Sequence, residues 1–561
     1  MVDTAGKLTI LFFVAGFLVL LYESYMAKVR KNEKLKRQIR EQWGKEADSD
    51  LEEIDRIEYY YTKSLGDDTE YIDDITWNDV DMDNVFCRIN STYSSMGEEY
   101  LYKMLRVPEK DEDRLKERDR IISIFQKDKD KAFKLSEIFA AVGRTKNISI
   151  MEFVDRLNEL QVRSNLKHYI LCALMLIAVI TLFIKPVFGI SGIIVMLCVN
   201  VATYYSAKAE VENYFVCMRY IVGMQNAADM IYKCDVEDLS GYSKRLNEIN
   251  RKLAPLRKGI FWLAPKNING SASEVVLEYV RMITHADIIK FNNMLKYTND
   301  YKDDISEMFD ILGMLDALVA VASYRESLNY YTTPVFNREK CSINAKDVYH
   351  PMINNPVCNT IEENRCVLIT GSNASGKSTF LKTIAINAIF AQTIYTCLAH
   401  EYITPFYDIY SSMALKDNLL GNESYYIVEI KSLKRIIDKV KAGKNVLCFV
   451  DEVLRGTNTV ERIAASSMIL KEISDMKAMC FAATHDIELT SILGNYYSNY
   501  HFEEEVSNDD VLFNYRLNKG KATSRNAIKL LNVIGYDKSI TANAEMAANG
   551  FINTGKWKNI E

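Results

Sequence analysis

One stretch, Cys366–Thr379 (CVLITGSNASGKST), constrains the folding of this chain more than any other. A short β-branched run, Val367 to Thr370, leads into Gly371-Ser372-Asn373-Ala374-Ser375-Gly376-Lys377-Ser378, and a helix-like stretch, Thr379–Thr393, follows. This is G-x-x-x-x-G-K-[ST] between a strand and a helix, the context that gives the pattern its meaning. Glycines let backbone N–H groups approach phosphate oxygens, and the helix N-terminus adds the positive end of its dipole. Gly371 to Thr379 are therefore the expected nucleotide cradle, with Lys377 reaching the β- and γ-phosphates and the Ser378 hydroxyl ligating Mg2+. ATP with Mg2+ is the expected ligand pair. An accidental match in a polar loop would lack the flanking strand and helix.

Two further apolar runs supply the groups such a loop needs. Val446-Leu-Cys-Phe-Val450 ends in Asp451-Glu452, which predicts that Asp451 sits at the C-terminal edge of a sheet beside the phosphate loop. Asp451 is suited to hold the magnesium's water shell, and Glu452 to orient or deprotonate an attacking water. Met479-Cys-Phe-Ala-Ala483 runs into Thr484-His485, a histidine able to sense a γ-phosphate or polarise the water. A lone histidine is more often structural, but one that ends a strand in a phosphate-loop fold reads as functional. From about Asp347 onward short β-rich runs alternate with helices, the α/β signature.

The remainder is helical in pattern, and three segments lack charge for long enough to meet a membrane. Leu8–Tyr22 lies between Lys7 and Glu23; Tyr169–Ile184 ends at Lys185; Pro186–Ala207 carries no charge before Lys208. Crossing the hydrocarbon core takes about 20 residues, which the third segment supplies and the other two approach. A signal peptide carries its positive charge before the apolar run. Here the basic cluster, Lys28 to Arg40, follows it, which predicts an anchor with its C-terminal side in the cytoplasm. The second and third segments then form a hairpin returning to the same side, so three helices in the cell membrane with a cytoplasmic body are expected. Eleven cysteines without a C-x-x-C pair suit a reducing compartment and exclude a zinc ribbon. Sixty-nine Lys+Arg against 75 Asp+Glu leave no global basic field, so any polyanion site must be local. One candidate is the run Lys244, Arg245, Arg251, Lys252, Arg257, Lys258 and Lys266, opposed along the chain only by Glu248. Such a run is usually a solvated helix face, and otherwise a surface for DNA or lipid phosphates. Residues 41–84, rich in Asp and Glu around Tyr59-Tyr60-Tyr61, read as an exposed connector.

With these motifs the chain resembles the MutS family of DNA mismatch-repair ATPases. The family's D-E-x-x-R-G-T-x-T is Asp451-Glu452-Val-Leu-Arg455-Gly456-Thr457-Asn458-Thr459 here, its A-T-H is Ala483-Thr484-His485, and its loop asparagine is Asn373. Its serine-bearing loop before M-V-E-M corresponds to Gly421-Asn-Glu-Ser424-Tyr-Tyr-Ile-Val428-Glu429-Ile430. His350-Pro351 looks like the family's H-P, and Tyr515-Arg-Leu517 through Gly520 and Ser524 like its closing hairpin and helix. A weaker likeness, STYSSMGEEYLYKMLRVP at Ser91–Pro108, touches the family's helical core. An ABC transporter cassette shares the phosphate loop, but no L-S-G-G-Q lies between the loop and Asp451.

The resemblance implies an α/β P-loop NTPase domain at 347–545, with a tail at 546–561. Before it are expected an anchor at 1–27, a basic then acidic linker at 28–84, a helical core at 85–167, a transmembrane hairpin at 168–207 and a second helical lever region at 208–346. It further implies a homodimer with composite sites, each nucleotide held by one phosphate loop and covered by the other subunit's Ser424 loop. ATP would close the dimer and shift the helical levers. The family's mismatch-recognition domain, which inserts a Phe with a Glu two residues on, has no expected counterpart; Phe502-Glu503-Glu504 carries the letters inside the ATPase region. The expected function is a membrane-anchored ATPase that hydrolyses ATP in a dimer and moves its helical levers, with DNA, branched or of the kind met in mismatch repair, as a candidate ligand of those levers. The alternative is an ATP-driven switch on a membrane protein partner, without nucleic acid.

Overall fold

The computed structural model describes residues 22–23, 26–27, 29–47, 54–66, 69–145, 148–263, 272–338, 341–372, 375–413, 425–455, 457–506, 511–522, 528, 531 and 534–557. The expected N-terminal anchor up to residue 21 lies outside the described residues, as do Asn373, Ala374, Ser424, Gly456, Ser524 and Lys266. The chain divides into two compact units, one of residues 1–65, 88–103 and 120–327, the other of 66–87, 104–119 and 328–561.

The first unit is helical. Its helices include α1 (Ser95–Arg106), α2 (Leu166–Ile184), α3 (Pro186–Val211), α4 (Ser240–Lys252), α5 (Ala272–Thr284), α6 (Ala286–Asp300) and α7 (Lys302–Ser327). Helix α7 is buried on nearly every side from Leu312 to Arg325 and forms the spine of the core. It meets α1 through two glycines. A Cβ on Gly97 would lie 2.2 Å from Asp316 Oδ2, and one on Gly313 would lie 2.6 Å from the Met96 carbonyl oxygen. That approach lets the Asp316 carboxylate accept from the backbone N–H groups of Tyr93 (3.2 Å) and Ser94 (2.9 Å) at the start of α1. Burial pushes the Asp316 carboxyl up to about 6 while these bonds pull it back.

Helices α2 and α3 form an antiparallel hairpin, joined at Lys185 with Pro186 in the first turn of α3, where a missing N–H costs nothing. At 19 and 26 residues, both are long and apolar enough to cross a membrane. A Cβ on Gly189 would lie 2.3 Å from Leu182 Cα, so the two backbones touch near the tip. Phe183 and Val187 there are 83% and 75% exposed. Water would penalise such a surface, whereas lipid would not.

Two readings of this region change with the structure. Residues 54–63 are not an exposed connector but a helix that buries Ile57, Tyr60 and Tyr61; their spacing is one helical face, hidden in the sequence by the surrounding acids. The basic run is not opposed by Glu248 alone. Arg245 pairs with Glu307 (2.6 Å) and Lys252 with Asp304 (2.7 Å), both on α7, and Arg257 donates to Asn250 and to the Gln225 carbonyl.

The second unit is α/β. Its strands are β1 (Val335–Phe336), β2 (Ile343–Val348), β3 (Asn359–Glu363), β4 (Cys366–Thr370), β5 (Glu401–Thr404), β6 (Asp408–Ser412), β7 (Val446–Asp451), β8 (Met479–Thr484), β9 (Tyr497–Val506) and β10 (Val511–Lys519). Six form one sheet in the order β10-β9-β4-β8-β7-β6, parallel except for β10; the others pair as β1-β5-β2-β3. Every residue of β4 and β8 is buried, as expected of parallel strands covered on both faces by helices. Helices α8 (Lys377–Thr393), α9 (Tyr425–Lys441) and α10 (Thr459–Asp475) follow β4, β6 and β7. Cys366, Cys448 and Cys480 pack in the core as small apolar groups, and none of the eleven cysteines is in a disulfide.

The α1–α7 contact makes a direct prediction. Gly313→Ala should destabilise the full-length protein in detergent by about 1–3 kcal/mol through overpacking, seen as a lower melting temperature. Gly241→Ala, where nothing lies within 4 Å of the added carbon, should not lower it.

Candidate functional site

Three parallel strands bring the site together by their register. Thr370 of β4 pairs with Thr484 of β8, and Asp451 of β7 with Ala483 of β8. The phosphate loop, Glu452 and His485 therefore leave the sheet side by side at its C-terminal edge. Gly371 departs at φ +153°, where a Cβ would meet the Phe502 carbonyl oxygen and Ser375 Oγ, each at 2.9 Å. Gly376 turns into α8 at φ +103°, with Tyr515 3.2 Å from where a Cβ would sit. Both positions need glycine.

The predicted side chains converge here. Lys377, 5% exposed, donates to the carbonyls of Gly371 (2.9 Å) and Ser372 (2.7 Å) and lies 3.5 Å from His485 Nε2. Ser378 Oγ donates to Asp451 Oδ2. Asp451 Oδ1 and Ser375 Oγ are buried without a hydrogen-bond partner among the described residues. Burial raises the Asp451 carboxyl above its ordinary range, and the Ser378 hydroxyl opposes that shift. A hydroxyl beside a carboxylate with an uncommitted oxygen is a donor set that fits Mg2+, which keeps several of its own waters. Glu452 sits at φ +54°, its N–H donating to the Ala483 carbonyl (2.9 Å). Its carboxylate lies between His485 Nε2 (2.7 Å) and Arg455 Nε (2.9 Å).

Beside the loop opens a cavity of about 600 Å³, floored by Ser375 to Phe380 and walled by His350, Pro356, Val357, Phe502 and Tyr515. Tyr515, at φ +52°, occupies an irregularity in the β9–β10 pairing. Asn359 fixes it there, donating to the Tyr515 carbonyl (3.1 Å) and accepting from Leu517 N–H (2.8 Å). Apolar and aromatic walls next to a phosphate loop suit a nucleobase. Thr379 also lines the cavity.

Residues 367–551 match the family model of MutS domain V. The chain carries a MutS-family ATPase domain. It is 28% identical over 277 residues to the DNA mismatch repair protein MutS of Thermotoga maritima, covering 47% of this chain and 34% of that protein. To the protein of the same name from Bacillus subtilis it is 26% identical over 284 residues, 48% of this chain and 32% of that one. To that of Listeria welshimeri it is 25% identical over 336 residues, 56% of this chain and 39% of that one. The chain thus spans about a third of the length of these curated relatives.

Three supports of the MutS-family site carry no motif of their own. Glu429 of α9, buried, accepts from the N–H of Leu454, itself at φ +59°, and so holds the turn after Glu452. Arg462 of α10 grips Asp486 with two hydrogen bonds (2.9 and 2.6 Å), fixing the residue after His485. Asp79, buried at 4% exposure, accepts from Ser411 Oγ (2.6 Å) and Met413 N–H (2.8 Å), while Thr76 Oγ1 accepts from Ser411 N–H (3.0 Å). Thr76 and Asp79, in a stretch expected as part of the 28–84 linker, therefore brace the end of β6, from which the chain leads toward the Ser424 segment. Only Glu429 left a trace in the sequence, inside the stretch that resembles M-V-E-M. Asp79→Ala strands two buried donors, so it should cost about 1–3 kcal/mol of stability, read by thermal melting, with Asp79→Asn losing less.

Proposed function

We propose that this chain hydrolyses ATP as a dimer tethered to a membrane and couples turnover to its helical unit. The observation that carries the reading is the meeting of Lys377, the Ser378–Asp451 pair and the Glu452–His485 pair at one sheet edge. In this reading Lys377 and the loop amides from Gly371 to Thr379, including those of Asn373 and Ala374, bind the phosphates, and the His350–Tyr515 cavity takes the base. Ser378 and Asp451 would hold Mg2+, which supplies charge neutralisation between the β- and γ-phosphates. Glu452, aimed by Arg455 and His485, orients the attacking water and takes its proton; His485 also senses the γ-phosphate. The partner's Ser424 completes each site. Lys377→Ala should abolish measurable nucleotide binding. Glu452→Ala should bind ATP normally but turn over roughly 10²–10⁴ times more slowly. Normal turnover by Glu452→Ala would remove its catalytic role.

For the ligand of the helical unit, likeness to proteins named for DNA mismatch repair supports DNA, and the hairpin supports the membrane as the place of action. A second reading, a switch on a membrane protein partner, is favoured by one observation: acids of α7 match two cations of the basic run. ATP-loaded Glu452→Ala protein, titrated in detergent with duplex, mismatched, single-stranded and branched DNA across a salt series, separates the two. Tight, salt-steep, structure-selective binding that charge reversal at Arg251 and Lys252 weakens is the expected result for DNA. Flat, weak binding across the panel would transfer the weight to a protein partner that survives nuclease treatment in copurification.

A further inference from the structure

A second cavity, of about 960 Å³, lies in the helical unit at the base of the α2–α3 hairpin. Tyr169 and Cys172, in the first two turns of α2, form one wall. Lys258 and Trp262, just beyond α4, and Lys290 and Lys296 of α6 line the others, with Arg163 at the approach to α2. No Asp or Glu is among the described residues that line it. Arg163 is paired with Glu210 on α3, outside the lining. Lys258 and Lys296 lie within ion-pair distance of no carboxylate among the described residues. Lys290 donates to the Leu256 carbonyl (3.1 Å), and burial lowers the pKa of its ammonium.

We propose that this cavity binds the phosphate head group of an anionic glycerophospholipid, a proposal that rests on the reading of α2 and α3 as membrane-spanning. Three cations with no carboxylate partner among the described residues face one hollow and create a local demand for an anion. Their position selects the source of that anion. The charge-free stretch of α2 begins at Tyr169, so the cavity lies at the level where head groups meet the hydrocarbon. Tyr and Trp, both present in the lining, are the side chains that favour that level. From Tyr169 the exposed apolar residues Ile170, Leu174 and Ile177 continue along α2, a path for acyl chains. A free phosphate would have no use for that apolar continuation. The walls are also held in place: Asn165, before α2, donates to Asn293 Oδ1 (2.9 Å) and accepts from Asn292 Nδ2 (2.9 Å), both on α6. A basic hollow between a spanning helix and its cytoplasmic neighbours is the kind of site that recognises acidic head groups.

The test uses the full-length protein in lipid nanodiscs of phosphatidylglycerol diluted in phosphatidylcholine, re-extracted in mild detergent, with retained lipid quantified by mass spectrometry. Wild type should retain phosphatidylglycerol in excess over phosphatidylcholine. Lys258→Gln/Lys296→Gln, both exposed and so compatible with folding, should cut that excess roughly twenty-five-fold, about five-fold per lysine. The charge-matched Lys127→Gln/Lys134→Gln, at two exposed lysines away from the cavity, should keep it. Equal retention by wild type and the Lys258/Lys296 variant, or equal loss in both variants, overturns the proposal. Displacement of the lipid by acyl-free glycerophosphoglycerol or by a short DNA duplex at matched concentration overturns it too, in favour of a soluble phosphate or nucleic acid. Resistance to alkaline carbonate in pure phosphatidylcholine vesicles is measured separately. Loss of the protein from those vesicles sinks the membrane reading and this site with it, whereas carbonate resistance without phosphatidylglycerol preference sinks the lipid site alone.

Discussion

The pairing of β8 with β4 on one side and β7 on the other is the constraint on which the candidate site depends. Because Thr370, Thr484 and Asp451 end their strands in register, the phosphate loop, the magnesium-suited carboxylate and the histidine emerge as neighbours. Side chains alternate faces along a strand, so a one-residue slip of β8 would exchange the side chains on its two buried faces and carry His485 away from Glu452. Burial resists that slip. Every position of β4 and β8 is covered, and the packed Cys366, Cys448 and Cys480 leave little tolerance for a shift in register.

Rigidity below the edge supports irregular backbone above it. Glu452 and Leu454 both hold positive φ without being glycine, a conformation costing of order 1–3 kcal/mol each. The Ala483 carbonyl fixes the first and the Glu429 carboxylate the second. The catalytic candidate is thus carried on a turn whose shape is imposed by groups from a neighbouring strand and helix. Arg462 and Asp486 do the same for the turn that follows β8.

What could be read from the sequence follows from this division. Fully buried parallel strands appear as unbroken apolar runs, and the loops that end them carry Gly371, Lys377, Asp451, Glu452 and His485 in a pattern that chance seldom assembles. The pairings of the supports do not show in the sequence because each joins residues remote along the chain and ordinary in type: Glu429 to Leu454, Arg462 to Asp486, Asp79 to Ser411; of these residues Glu429 alone falls in a recognisable stretch. The same blindness affected charge. Lys244 to Lys258 reads along the chain as a basic face opposed only by Glu248, because its further counter-charges, Asp304 and Glu307, lie on a helix that begins at residue 302. Tyr60 and Tyr61 read as exposed because acids flank them along the chain, whereas in the fold their rings pack against Phe309 and Tyr102.

The brace formed by residues 66–87 also bears on how the protein is made. The hydrogen bond from Ser411 to Thr76 closes a loop of 335 residues. At ribosomal rates of about 5–20 residues per second, the brace leaves the ribosome roughly 20–70 s before β6 exists for it to hold. Throughout that interval Thr76 and Asp79, buried in the finished unit, lack their Ser411 and Met413 partners, while the apolar α2 and α3 are synthesised in between. Biogenesis of the ATPase unit is therefore paced by its last partner to appear, and the waiting segment is a natural client for a chaperone.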